Sequence, residues 1–327
     1  MVKPPSRHPF SVGIPLSSTR FTPTMHAIVI DHSEPSHLRL ADTPEPVPAA
    51  HDALIAVTAV SVNPGDVAAL ASAEEGSVPG WESAGVVVQA ASDGSGPAVG
   101  AHVTGFDGRG GWAPLRAIPT SQLGTVPSAL DAAEASTLPI AASSALRAIR
   151  TLGGVVGRRL LVVGATGAVG RFAVQIGASA GAEIIAVARD ESRHPELRSL
   201  GAADTWSTIG SDRPSVHHAL DTVGGAQLAE AFRLLRAHGT LVSVGRASGE
   251  PTMLSADDLI ADQGRSGIRL RTFFLAEDLD GYSDDIAWLG VLAADGRLST
   301  DIRERVPFDA LPTRLERPLN GKLVAVL

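Results

Sequence analysis

Cysteine is absent from the 327 residues, which excludes disulfides, thiolate nucleophiles and every zinc site built on thiolates. Lysine occurs only at Lys3 and Lys322, and tyrosine only at Tyr282. A Tyr-x-x-x-Lys catalytic pair therefore cannot be assembled, and a Schiff base would have to use one of two lysines far out along the chain. Aromatic residues make up 4%. Positive charge is also in deficit: 27 Lys and Arg against 35 Asp and Glu leave a net charge of −8. That is the wrong sign for binding a phosphate backbone, so no nucleic-acid partner is expected. No run approaches the roughly 18 unbroken apolar residues of a membrane-spanning helix. The expectation is a cytoplasmic protein with no membrane partner.

Apolar residues make up 44% of the chain, enough for two domains of roughly 100 to 200 residues each to bury a core. Residues 1–24 carry Lys3, Arg7 and Arg20, no acid and five prolines. Prolines at this density break the amphipathic helix of an organellar transit peptide. The segment reads as a disordered arm or as a mis-assigned start, with Met25 opening the folded chain at MHAIVI. From Met25 to about Leu138, apolar runs such as ALIAVTAV and AGVVV are separated by Pro, Gly, Asp and Ser, which predicts a mostly β domain. Beyond about Ile140, strand-like LLVVG, EIIAVA and GTLVSVG alternate with helix-like stretches, which predicts a parallel α/β sheet. In the first of these helices Val169, Phe172, Ala173 and Ile176 form one apolar stripe for that sheet.

The strongest chemical signal is GATGAVG, running Gly164, Ala165, Thr166, Gly167, Ala168, Val169, Gly170. It lies between the strand LLVV and a helix expected to begin near Ala168. Gly164 permits the tight turn, Gly167 admits a pyrophosphate, and Gly170 lets helix and strand pack closely. The helix N-terminus then receives the phosphates. At the end of the second strand no acid stands where NAD selectivity would need one. Arg189 follows the strand and Arg193 lies one turn on, so two guanidinium groups are placed for the 2′-phosphate of NADPH, which is favoured over NADH. The competing reading gives Asp190 to the ribose of NAD, or to a helix N-cap.

About 135 β-rich residues precede this unit, and motifs follow one another in a definite order: VSVNPGDV, VPGWESAGVV, VGAHVTGF, EASTLPIAASSAL, GATGAVG, ALDTVGG and NGKLVAVL. In this order the sequence resembles the medium-chain dehydrogenase/reductase superfamily, in its zinc-free quinone oxidoreductase branch. The resemblance implies an α/β fold in which a Rossmann doubly wound parallel sheet (143–270) is inserted in a mostly β GroES-like catalytic domain (25–142 plus 271–327). Zinc-dependent relatives carry a cysteine where this chain has Asn63 and a histidine where it has Trp81, so no zinc is expected.

Without a metal the acceptor must already be electrophilic, a quinone or an enone. The resemblance implies that Asn63 and Asp66 line the substrate cleft, although Asn-Pro and Gly-Asp are equally good turn dipeptides. Trp112 and Trp81 are candidate stacking surfaces, or packing. The resemblance further implies that Ser144 contacts the cofactor, although a serine there serves equally as a helix cap, and that Gly245 and Phe274 edge the nicotinamide pocket. Asp221 reads as a strand end more than an adenosine ligand, and Lys322 as a solvated surface lysine. An enoyl reductase of biosynthesis and an NADPH-binding protein without turnover are the alternatives. A homodimer is implied as well, with GTLVSVG as the strand that would extend a sheet across the two-fold axis.

Overall fold

The computed structural model describes residues 23–260 and 264–327. The expectation for the first 24 residues therefore lies almost wholly outside the described residues, although the first strand already begins at Thr24.

An antiparallel hairpin of β1 (Thr24–Ile30) and β2 (Leu38–Pro44) opens the fold. Next come β3 (Asp52–Val62), helix α1 (Pro64–Leu70), β4 (Glu82–Gln89), β5 (His102–Phe106), β6 (Leu115–Pro119) and β7 (Leu123–Thr125). Helix α2 (Ala132–Ala135), a π-helical turn at Leu138–Ala142 and α3 (Ser143–Leu152) lead into the second domain. There β8 (Arg159–Val163), α4 (Ala168–Ser179), β9 (Glu183–Val187), α5 (His194–Ser199) and β10 (Asp204–Trp206) form one half. The other half is β11 (Val216–Asp221), α6 (Gly225–Arg233), β12 (Leu235–Ser243) and β13 (Arg269–Thr272). The chain returns through α7 (Tyr282–Ala294), β14 (Ile302–Pro307), α8 (Leu311–Arg314) and β15 (Lys322–Val326).

The second domain is a six-stranded parallel sheet in the order β10-β9-β8-β11-β12-β13. The order reverses between β8 and β11, which opens a crevice beyond the carboxyl ends of the strands. The first domain is a seven-stranded sheet with order β14-β15-β3-β4-β5-β7, and β6 also pairs with β3. Because β15 lies antiparallel against β3, the late strand closes the early domain, as the inserted arrangement requires. A boundary at residue 270 cuts through β13, so the Rossmann unit extends to Thr272.

Helix α4 carries the expected stripe, with Phe172, Ala173 and Ile176 buried, but Arg171, Val174 and Gln175 are buried too. Its second face is covered by the catalytic domain: Gln175 exchanges hydrogen bonds with the backbone of Ser299 at 2.7 and 3.1 Å. The nucleotide-type sheet and the β-rich domain are thereby packed directly against each other. The strand GTLVSVG is interior, since β13 covers it, and the exposed edge of the sheet is β13.

Candidate active site

Gly164 turns the chain after β8 at φ 79°. A Cβ on Gly170 would collide with the Gly164 carbonyl oxygen and stand 2.8 Å from the Ala165 Cα, so helix and strand meet there without side chains. Gly167, the N-cap of α4, differs: a Cβ there meets only one atom, the Gly164 oxygen at 3.4 Å. Space on that side is open. No side chain caps α4, so the amides of Ala168, Val169 and Gly170 have no acceptor within the helix. An open cradle with orphan donors at a positive helix end fits a pyrophosphate.

Arg189 lines a cavity of about 320 Å³ with Val187, Val223, Gly224 and Ser248. No ion pair occupies it among the described residues. Arg193 does not join it. Its Nε is held by Glu196 at 2.7 Å, and it faces a different cavity beside Thr166 and Arg171. The expected pair of guanidinium groups is therefore divided: Arg189 lines one cavity, and Arg193 lines the one that also holds Asn63, Gly167 and Lys322. Asp190 accepts from the Ser192 amide at 3.0 Å, as an N-cap does. Asp221 is fully buried and accepts from the amides of Val223 and Gly224 at 3.2 and 2.8 Å, which shapes the turn after β11. Burial pushes its carboxyl up to about 6.

At the junction of the domains one cavity of about 320 Å³ is lined by Asn63, Thr166, Gly167, Ala168 and Lys322. Behind it lies a buried charge network. Lys322 Nζ donates to Glu82 Oε1 at 2.6 Å and to Asn63 Oδ1 at 2.9 Å. Asn63 Nδ2 donates to Glu82 Oε1 at 2.8 Å, the Ser61 hydroxyl donates to the same oxygen, and the Ile140 amide donates to Oε2 at 2.9 Å. Lys322 is only 6% exposed and Glu82 not at all, so the surface reading of Lys322 is corrected. Its β15 position beside β3 brings it onto Glu82.

Asp66 is buried and accepts from the Asn63 amide at 2.8 Å and from the Trp81 amide at 3.0 Å. Burial, aided by the Glu82 charge, pushes its carboxyl up to about 7 despite these donors. Asp66 therefore holds the turn, while Asn63 both holds it and lines the cavity. The Trp81 indole lies on Gly65, where any Cβ would come within 2.5 Å of it. Arg116 is buried beneath and donates to the carbonyls of Trp81, Asp107 and Arg109. Burial lowers its guanidinium to about 10.

Other expectations are redirected. Trp112 is fully buried in the core of the first domain with Ile28, Ile118 and Leu123, so it packs and does not line the cleft. Ser144 sits inside α3, which has no side-chain cap, so the capping reading falls; Ser144 is buried. Gly245 packs its Cα against Thr222, whose carbonyl oxygen a Cβ would approach to 2.6 Å. Phe274 is 66% exposed just past β13 and lines a cavity with Arg147 and Arg271. Sequence reasoning gave no role to Tyr282. Its hydroxyl donates to the Pro139 carbonyl at 2.9 Å and ties α7 to the π-helical turn, and burial raises its phenol far above the usual value.

No three His, Cys, Asp or Glu side chains form a metal-ligand set among the described residues. Asn63 and Trp81 supply no zinc donors, and Glu82 is committed to Lys322, so this site does not fit a tetrahedral zinc. No helix among the described residues is long and apolar enough to cross a membrane.

Residues 168–282 match the family model described as zinc-binding dehydrogenase, and residues 49–128 match the alcohol dehydrogenase GroES-like domain. Polyketide synthase GfsB of Streptomyces halstedii is 32% identical over 235 residues, 69% of this chain but 4% of that protein. The mitochondrial enoyl-[acyl-carrier-protein] reductase of Arabidopsis thaliana is 26% identical, covering 94% of this chain and 88% of that one. Among solved structures, the quinone oxidoreductase from Coxiella burnetii superposes with a TM-score of 0.77 at 23% identity, over 93% of this chain and 100% of its own. A probable oxidoreductase from Mycobacterium abscessus gives 0.78 at 26%, over 94% and 100%. Both domain models in the inserted order, together with this sheet topology, establish that the chain belongs to the medium-chain dehydrogenase/reductase superfamily of oxidoreductases.

Proposed function

We propose that this protein is an NADPH-dependent reductase that transfers hydride to a conjugated carbonyl acceptor, a quinone in the first instance, without a metal. The observation that carries the reading is the single cavity shared by the glycine loop, Asn63 and Lys322. When bound, the nicotinamide supplies the hydride. The chain's own residues hold the phosphates at Ala168, Val169 and Gly170 and select the 2′-phosphate with Arg189. Lys322 Nζ has three protons and engages two of them, which leaves one to meet an oxygen that gains negative charge. A quinone or enone needs only that assistance, because conjugation already polarises it.

A second reading, reduction of an enoyl thioester or enone in biosynthesis, draws support from the likenesses to an enoyl-[acyl-carrier-protein] reductase and to prostaglandin reductase-3 of Bos taurus. A homodimer belongs to the proposal too: β13 is an edge strand with every residue exposed, and Leu270 and Phe274 on it and beside it are 44% and 66% exposed. The test is oxidation of NADPH and NADH against quinones, enones and enoyl thioesters, with and without EDTA. Quinone-dependent NADPH consumption unaffected by EDTA supports the first reading. Turnover of enoyl thioesters alone selects the second, and cofactor binding with no turnover on any acceptor overturns both.

A further inference from the structure

At the opposite end of the Rossmann sheet from the crevice, where β8, β11 and β12 begin, a further cavity of about 570 Å³ opens. Arg158, Arg213, Arg233, Arg236 and Arg265 line it, and no carboxylate does among the described residues. Arg233 is neutralised by Asp258 at 2.8 Å. The other four have no carboxylate partner among the described residues. Arg213 lies over the Trp206 ring at 5.0 Å and Arg265 over Phe232 at 5.9 Å, contacts that fix a guanidinium plane; one edge donor of Arg265 is used on the Phe232 carbonyl. A protein with a net charge of −8 has thus gathered, at one concave place, four guanidinium groups with no carboxylate ion-pair partner among the described residues.

His217 adds a further polar group to the same wall. Its Nδ1 accepts from the Arg159 amide at 3.0 Å, so a neutral ring carries its proton on Nε2. That Nε2 stands 3.1 Å from Arg236 Nη1. Two donors therefore converge on one point of the exposed rim. Protonating the ring does not relieve this, and burial with the charges of Arg236 and Arg158 holds its pKa below the usual value. The arrangement is satisfied by an anion that accepts from both.

We propose that this cavity is a second anion-binding site, distinct from the dinucleotide crevice, which takes a small phosphorylated or similarly multivalent ligand through Arg158, Arg236 and His217. Its volume lies in the range of small-molecule pockets, and the hydroxyls of Ser211 and Ser215 on its rim suit phosphate oxygens. A strand of about five residues spans roughly 17 Å, so a ligand here does not touch a cofactor bound at the other end.

The test is calorimetric titration of the NADPH-saturated protein with inorganic pyrophosphate, using chloride at matched ionic strength as the control. One site is expected, weakened about tenfold or more in Arg158→Gln/Arg236→Gln and unchanged in Arg189→Gln. Arg158 and Arg236 are exposed, and unchanged melting of the double variant verifies its fold. Histidine ¹⁵N spectra give a second readout, since pyrophosphate is expected to shift the Nε2 signal of His217. Absence of pyrophosphate binding, binding that the double variant leaves within about twofold, or binding lost in Arg189→Gln would overturn the proposal. If NADPH does not bind, the same titration on the free protein still separates the two sites, so failure of the proposed activity and failure of this site are distinguishable.

Discussion

Replacing Lys322 by methionine keeps most of the stem's volume and removes one charge. In the native protein that charge lies 2.6 Å from Glu82 Oε1 and is the only cation within ion-pair distance of it among the described residues. Glu82 has no exposure to water and would keep Ser61, Asn63 and the Ile140 amide as donors. Hydrogen bonds do not cancel a buried net charge, and removing one partner of such a pair costs about 3–5 kcal/mol. Glu82→Gln strands the ammonium and is expected to cost a similar amount. The double variant buries no charge at this place, so its loss should be well below the sum of the singles, with a coupling of a few kcal/mol. Urea denaturation of the four proteins, followed by circular dichroism, measures all three differences. A Lys322→Met variant within about 1 kcal/mol of wild type, as a solvated lysine would give, would refute the buried network.

Further outcomes follow from other groups. Asp66 has a folded-state pKa of about 7 against 3.8 for the free group, so the folded protein holds its proton more tightly than the unfolded chain. The associated stability is full below about pH 4 and is lost as pH rises towards 7, by at most about 1.4 kcal/mol per pH unit; in Asp66→Asn this part of the slope of melting stability against pH should vanish. Arg189→Ala is expected to raise the KM for NADPH about tenfold or more and to leave that for NADH nearly unchanged, whereas Arg193→Ala, its guanidinium already held by Glu196, should move neither by more than about threefold. Equal effects of the two substitutions in steady-state kinetics would contradict the placement of Arg193. Gly170→Ala forces α4 away from the Gly164 carbonyl and should cost about 1–3 kcal/mol along with measurable NADPH affinity, and retention of both would show that helix and strand are not held in contact.

What the sequence disclosed and what it concealed divide along sequence separation. The glycine loop, the strand before it and the start of α4 at Ala168 are encoded within a dozen neighbouring residues, and glycine spacing alone places them. The fate of Lys322 depends on a partner 240 residues away, and nothing in GKLVAVL announces a buried ammonium. Trp112 and Trp81 look alike in the sequence, yet one fills the first domain's core and the other lies on Gly65. The sheet edge was misplaced for a related reason: GTLVSVG is more apolar than Arg269–Thr272, but an interior strand needs apolar faces and an edge strand does not.

The pairing of β15 with β3 also governs the order of assembly during synthesis. The first domain's sheet has a gap beside β3 until residues 322–326 emerge, by which time the whole nucleotide-binding segment has left the ribosome. Until then the Glu82 carboxylate lacks the Lys322 ammonium, and the nascent first domain is left waiting with an unfinished interior. A message truncated anywhere upstream of Lys322 should therefore yield material that chaperones and proteases recognise, even if its Rossmann unit has formed.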